Sequence, residues 1–198
     1  MVTARLRLRP LTAADVAALL TYRGRADVCR YLPFAPMTRA VLLSRLAGDF
    51  ARTEITEPGQ SLTLGVELAG VEQTGVDQAG VELAGVEQAG PLVGDVVLFL
   101  HNAEHRAGEV GYVFAPQFHG QGYATEAVAA LLDLAFSGLG LHRVVARLDA
   151  RNEASARLAE RLGLRREAHF VRNEMFKGEW TDELVYAIRA EQWQQRST

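Results

Sequence analysis

The sequence predicts a mixed α/β domain. Three features carry that reading. Strand-like and helix-like stretches alternate along most of the chain. A near-continuous apolar run over residues 93–100 has the look of a central strand. Over residues 109–126 a strand passes through a glycine-bearing loop into a helix. The chain has 198 residues, 48% hydrophobic and 23% charged, which is ordinary globular composition. That excludes a disordered tail protein, a collagen-like chain and a disulfide scaffold. The length suits one domain over 1–198 that buries a core without staples.

The elements follow in order. Residues 4–9 alternate basic and apolar, as a half-buried strand does, with Leu6 and Leu8 inward. Pro10 and Thr12 end it and open a helix, Asp15 standing three residues after Thr12 as in a capping box. Val16, Leu19, Leu20 and Arg23 then recur at helical spacing. Pro33 and Pro36 break the chain before Thr38 opens a second helix, with Val41, Leu42, Arg45, Leu46 and Phe50 on one face. A second strand is expected over 61–66 and a third over 93–100, then a turn over 101–108 and a fourth strand over 109–115. A long helix is expected from about Thr125 to Phe136, a strand over 142–149, a helix opened by Asn152 and closed by Gly163, and strands near 165–172 and 183–189.

Residues 65–90 stand apart. They repeat a five-residue unit (GVELA, GVEQT, GVDQA) whose period fits neither strand nor helix, and a glycine in each unit weakens any helix. A low-complexity insertion between strands 2 and 3 is the favoured reading, ahead of a lengthened hairpin or a short solenoid. The insertion holds Glu67, Glu72, Asp77, Glu82 and Glu87 and no basic residue. Setting these aside turns the formal charge of −3 slightly positive, so the global charge reads as a local property.

Charge and cysteine narrow the function classes. A near-neutral chain lacks the basic face that nucleic-acid binding needs. Cys29 is the sole cysteine, so no intramolecular disulfide forms, and a buried structural role is expected for it. The first ten residues hold no apolar signal segment and no run is long enough to span a membrane, so no membrane partner and a cytoplasmic location are expected. The five histidines (His101, His105, His119, His142, His169) show no metal spacing.

The stretch EVGYVFAPQFHGQGYATE, residues 109–126, carries the chemistry. A helix start offers free N–H groups and the positive end of its dipole, and glycines let the backbone approach an anion closely. A Walker A loop is excluded because Tyr123-Ala124 follow Gly122 where Lys-Ser/Thr would stand. A Rossmann fingerprint is excluded because Thr125 holds the place of its third glycine. Gln117, Gly120 and Gly122 do match Q/R-x-x-G-x-G/A, and there the chain resembles the GNAT superfamily of acetyl-CoA-dependent N-acetyltransferases. The segments LGLHRVVARLDARNEASARLAERLGLRREA and KGEWTDELVYAI extend the resemblance, which is similar to the branch of ribosomal-protein N-terminal acetyltransferases and covers the chain outside 65–90.

The resemblance implies an α/β (α+β) GNAT acyl-CoA N-acyltransferase fold, a mixed, mostly antiparallel sheet splayed between strands 4 and 5 and flanked by helices. It implies acetyl-CoA as cosubstrate and no metal. Backbone groups of Tyr112, Val113, Phe114 and Ala115 would pair with the pantetheine arm. N–H groups of Phe118, His119, Gly120, Gln121, Gly122, Tyr123 and Ala124 would receive the pyrophosphate, and the His119 ring could reach it too. Glu109 matches the glutamate that deprotonates the amine; the structural alternative is an ion pair with Arg106. The usual thiolate-protonating Tyr is replaced by Ala159, a departure that the ribosomal-protein branch shares. The Asn152/Ser155 pair of that branch is present, Asn152 toward the cofactor and Ser155 as proton donor to the sulfur; capping alone is the alternative. Trp180 and Tyr186 are expected in the core or in an acceptor groove, with Phe170, Asn173 and Glu174 near it. The acceptor expected is a primary amine, favourably a protein N-terminus, on a monomer or homodimer. The rivals are a small-amine (antibiotic or polyamine) acetyltransferase and a non-catalytic acyl-CoA-binding module that uses the repeat as an interaction surface.

Overall fold

The computed structural model describes residues 1–70 and 90–196. Among these residues seven strands form one sheet: β1 (Leu6–Pro10), β2 (Ser61–Leu68), β3 (Leu92–Asn102), β4 (Ala107–Phe114), β5 (Arg143–Asp149), β6 (Arg165–Phe176) and β7 (Glu179–Arg189), ordered β1-β2-β3-β4-β5-β7-β6. Five helices accompany it: α1 (Val16–Arg23), α2 (Arg39–Ala47), α3 (Tyr123–Asp133), α4 (Glu153–Arg161) and α5 (Ala190–Gln194). Every strand pair is antiparallel except β4 with β5. That parallel pair holds only from Ala107↔Arg143 to Glu109↔Val145. Beyond it β4 stays with β3 as far as Gly94↔Phe114, and β5 stays with β7 as far as Asp149↔Glu183. The sheet therefore splays between its fourth and fifth strands, as the resemblance implied.

Side-chain alternation sends the two faces of the sheet to different helices. Leu6, Leu8, Val96, Leu98, Val110 and Phe114 pack with Val128, Leu131 and Leu132 of α3 and Leu158 of α4. The opposite face carries Val113 and, just past β4, Ala115, covered by Val16, Leu19 and Tyr22 of the first helical segment and by Leu42 and Leu46 of α2. Thr38 caps α2 by accepting from the Val41 N–H at 3.3 Å. Asp15 accepts from the Thr12 N–H at 2.7 Å, and the chain makes a 3₁₀ turn over Ala13–Asp15 before α1 proper.

Several boundaries differ from expectation: β3 runs over Leu92–Asn102 and β4 starts at Ala107, so the turn between them is shorter, β6 runs on to Phe176 and β7 starts at Glu179. β2 runs on to Leu68, so 65–68 belong to the sheet rather than to the insertion; residues 71–89, with the three readings of their repeat, lie outside the described residues. Glu67 is 2% exposed and accepts from Arg9 Nε at 2.7 Å, and Arg9 also pairs with Asp15 at 2.6 Å. Glu67 is therefore part of the body, and the acidic charge does not separate cleanly with the repeat. Burial pushes the Asp15 carboxyl up, but the hydrogen bonds from Arg9 and Thr12 outweigh it and hold the group below its ordinary range. A further difference lies in α3, which starts at Tyr123 rather than Thr125 and is followed by a π turn over Leu134–Gly138.

A buried ion pair ties α1 to the sheet. Arg23 is 4% exposed and Asp95 fully buried. Arg23 Nε donates to Asp95 Oδ2 at 2.9 Å, Nη2 pairs with Oδ1, and the Tyr22 hydroxyl donates to Oδ2 at 2.7 Å. Cys29 is buried, with its thiol against the Arg23 carbonyl at 3.4 Å and its pKa raised by burial, which fits the structural role. Asp95→Ala leaves the guanidinium buried without its partner. We expect a loss of about 3–5 kcal/mol in unfolding free energy, read from the denaturant midpoint.

Candidate active site

The divergence of β4 and β5 leaves a gap flanked by two cavities. One, of about 560 Å³, lies toward α3 and α4. The other, of about 370 Å³, lies toward α1 and α2. Tyr31, Leu32, Tyr112, Val113, Asn152 and Ser155 line both, so the two meet at the gap. The Tyr112 hydroxyl spans it, donating to the Ser155 carbonyl at 3.3 Å. Burial pushes the Tyr112 pKa up to about 12, so the phenol keeps its proton at neutral pH.

The larger cavity is closed at one end by the glycine loop. Gly120 and Gly122 have φ of +77° and +82°, the left-handed region that favours glycine. Gly122 is the N-cap of α3, and the first-turn N–H groups of that helix have no intrahelical acceptor. Two of the expected phosphate-binding amides are used internally: Phe118 N–H donates to the Ala115 carbonyl and His119 N–H to the Pro116 carbonyl, within a 3₁₀ turn. The His119 ring is likewise turned back, its Nε2 2.9 Å from the Phe114 carbonyl; a carbonyl only accepts, so Nε2 carries the proton. Of the amides expected to receive the phosphates, those of 120–124 have no such turn partner among the described residues. Gln117 contributes its carbonyl, which accepts from Gln121 Nε2 at 3.3 Å.

Arg5, missed in the sequence, braces this loop. Its Nη1 donates to the Gln121 carbonyl at 3.0 Å, its Nε to Glu126 Oε2 at 2.7 Å, and its guanidinium lies 4.8 Å from the Tyr123 ring centre. Burial pushes the Glu126 carboxyl up, but hydrogen bonds from Thr3 and Arg5 outweigh it and hold it below its ordinary range.

Glu109 lines the smaller cavity. Its partners are His101, with Nε2 at 2.8 Å from Oε2, and Arg147, with Nε at 3.4 Å, instead of the expected Arg106. The sequence does not pair His101 or Arg147 with Glu109, because each lies on a strand that pairs with β4 only in the fold. Arg147 Nη1 also donates to Glu183 at 3.1 Å, and Asn173 Nδ2 to Glu183 at 2.9 Å. Asn152 Oδ1 accepts from the Ser155 N–H at 3.2 Å, so the capping bond exists; it uses Oδ1 alone and leaves contact through Nδ2 compatible with it. Tyr186 is a core residue whose hydroxyl donates to Glu160. Trp180 is 52% exposed and lines neither cavity at the gap, because the β6–β7 turn carries it to the sheet edge. Phe170, Asn173 and Glu174 also lie outside both, and Glu174 lines a separate groove. Among the described residues no group of three or more His, Cys, Asp or Glu is placed to hold a metal, and no helix is long and apolar enough to cross a membrane.

A family profile described as Acetyltransferase (GNAT) domain matches residues 5–165. The chain belongs to the GNAT acetyltransferase family. It is 38% identical over 102 residues to a Bacillus subtilis protein named uncharacterized N-acetyltransferase YnaD, an alignment covering 52% of this chain and 59% of that one. A GNAT-family acetyltransferase structure from Bacillus anthracis superposes with a TM-score of 0.74 at 27% identity, covering 96% of this chain and 98% of that one. The spermidine N-acetyltransferase of Vibrio cholerae, solved with CoA and spermine, shares the fold with a TM-score of 0.75 at 21% identity, over 97% and 99% of the two chains.

Gly122 tests the cradle. An alanine there is strained by φ and meets Arg5 Nη2 at 3.3 Å. Gly122→Ala is expected to weaken CoA binding about tenfold by calorimetry, from roughly 1–2 kcal/mol of backbone strain, while the far-UV spectrum stays unchanged.

Proposed function

We propose that this chain is an acetyl-CoA-dependent N-acetyltransferase that acts on a primary amine, with a protein N-terminus as the favoured acceptor. The observation that carries the reading is the meeting of two cavities at the β4–β5 gap, one closed by the glycine loop and the other lined by Glu109. The residues fit a CoA-type ligand. The β4 edge beyond Glu109 has lost its β5 partner and can accept an extended arm as an added strand, and the loop presents N–H groups to an anion. Tyr112, Val113, Phe114 and Ala115 hold the arm through the backbone, though the Phe114 carbonyl already accepts from His119. Residues 120–124 receive the phosphates, and Asn152 orients the cofactor from the α4 N-terminus.

The cosubstrate supplies an acetyl thioester, at whose carbonyl carbon the C–N bond forms as the C–S bond breaks. Glu109 takes the proton that the amine loses, and His101 and Arg147 hold its carboxylate in place. The Ser155 hydroxyl delivers a proton to the departing sulfur. It stands at the gap, in reach of both cavities.

The N-terminal acceptor is supported by a groove of about 810 Å³ that shares Pro33 and Phe34 with the smaller cavity and offers a path for the chain behind the reacting amine. Relatives' names point two ways: YdaF of Bacillus subtilis, 32% identical over 100 residues, is named for ribosomal N-acetylation, and a Vibrio cholerae protein, 31% identical over 91 residues, for spermidine acetylation. A polyamine is therefore the second reading. Against it, the groove mixes Arg30, Arg151 and Lys177 with Glu174 and Glu179 rather than presenting an acidic wall.

Replacing Glu109 by Gln keeps the shape and removes the base. The expected result is a fall in kcat of about 100-fold or more, with loss of the acidic limb of the pH–rate profile. An unchanged profile removes Glu109 from the mechanism.

A further inference from the structure

We infer that the acceptor cavity selects an N-terminus whose first residue carries a large, uncharged apolar side chain. This rests on the N-terminal reading above and deepens it.

Three cations line the smaller cavity, and each is already matched. Arg23 is spent on Asp95 in a fully buried pair. Its guanidinium is also sheathed by two rings, Phe34 at 5.1 Å and Phe50 at 5.0 Å. Arg45 pairs with Asp49 at 2.5 Å and lies 6.0 Å from the same Phe50 ring. Arg147 sits between Glu109 and Glu183. Two carboxylates share that one guanidinium, so among the described residues the surplus is a single negative charge, placed where Glu109 faces the gap. His101 beside Glu109 reduces it only when protonated.

The cavity thus compensates one cation, and an α-ammonium arriving at Glu109 uses it. Away from Glu109 the apolar part of the wall is Leu32, Phe34, Met37, Phe50, Val97 and Phe99, beside the hydroxyls of Ser61 and Thr63. A second ammonium there, from a lysine side chain or a polyamine, would sit against apolar walls and guanidinium groups without a free carboxylate, which is costly. A carboxylate would find every guanidinium already paired. A small polar side chain would fit but leave the apolar walls wet. A benzyl or isobutyl group covers them and gains the burial.

The test uses the full-length protein, acetyl-CoA and synthetic peptides identical except at residue 1 (Phe, Leu, Ser, Lys or Asp), with spermidine as a further acceptor. Values of kcat/KM are compared. The expected order puts Phe and Leu first, Ser lower by about tenfold, and Lys and Asp lower by about 100-fold. Phe34→Ala, which trims one wall, is expected to shrink the Phe-to-Ser ratio severalfold while acetyl-CoA still binds with its original Kd. Peptides acetylated with Ser, Lys or Asp preferred, or a ratio that Phe34→Ala leaves untouched, overturn the inference and spare the N-terminal reading. Spermidine acetylated with no peptide turned over overturns the N-terminal reading itself, and turnover of none of these acceptors does the same.

Discussion

Three parallel pairs hold β4 to β5, and the sheet is built around the fact that the pairing then stops. Each strand keeps its other neighbour, so the edges that face one another across the gap are rigid even though they are apart. A backbone edge without a strand partner is a standing site for an extended ligand. Everything assigned to the active site is placed relative to that wedge. Glu109 is its vertex, the last residue of β4 with a β5 partner. The glycine loop follows directly on the free end of β4, and the Asn152 cap follows directly on the free end of β5. Tyr112 reaches across to the Ser155 carbonyl and sets how far α4 stands off.

The wedge needs firm walls, and buried charge supplies them. Asp95 lies on β3, on the face covered by α1, and its pairing with Arg23 and Tyr22 fixes where α1 ends. Phe34 and Phe50 then settle on that guanidinium, so an ion pair with little reason to exist for stability alone also organises the wall of the smaller cavity. Arg5 does the corresponding service on the side of the glycine loop by joining the residue before β1 to the Gln121 carbonyl and to Glu126 in α3. Ion pairs on both sides of the sheet thus preorganise a site whose ligands would otherwise have to order it.

The order of elements was legible because strands 93–100 and 109–115 and the caps at Thr38 and Asn152 are local signals, written in periodicity and in single residues. The glycine loop was legible for the same reason. What escaped was anything set by residues far apart in the chain. Arg5 and Gln121, and Asn173, Glu183, Arg147 and Glu109, meet only after the sheet forms. The charge count failed in an instructive way. Glu67 looked like a member of an acidic repeat, yet the period that marks the repeat begins inside β2, where the same residue is buried against Arg9. Composition identifies an unusual segment without identifying its boundary. Trp180 misled through size: a large aromatic is usually core, but the β6–β7 turn holds this one at the sheet edge.

The proposed seat of the cosubstrate is the β4–β5 gap, continued by the glycine loop. Amide hydrogen exchange with and without CoA measures it directly, residue by residue, with no acceptor needed. Slowed exchange confined to 112–115 and 120–124, together with the start of α4, is the expected result. Unchanged exchange at those amides, or protection appearing instead in the groove between the 33–36 loop and the β6–β7 turn, would contradict it.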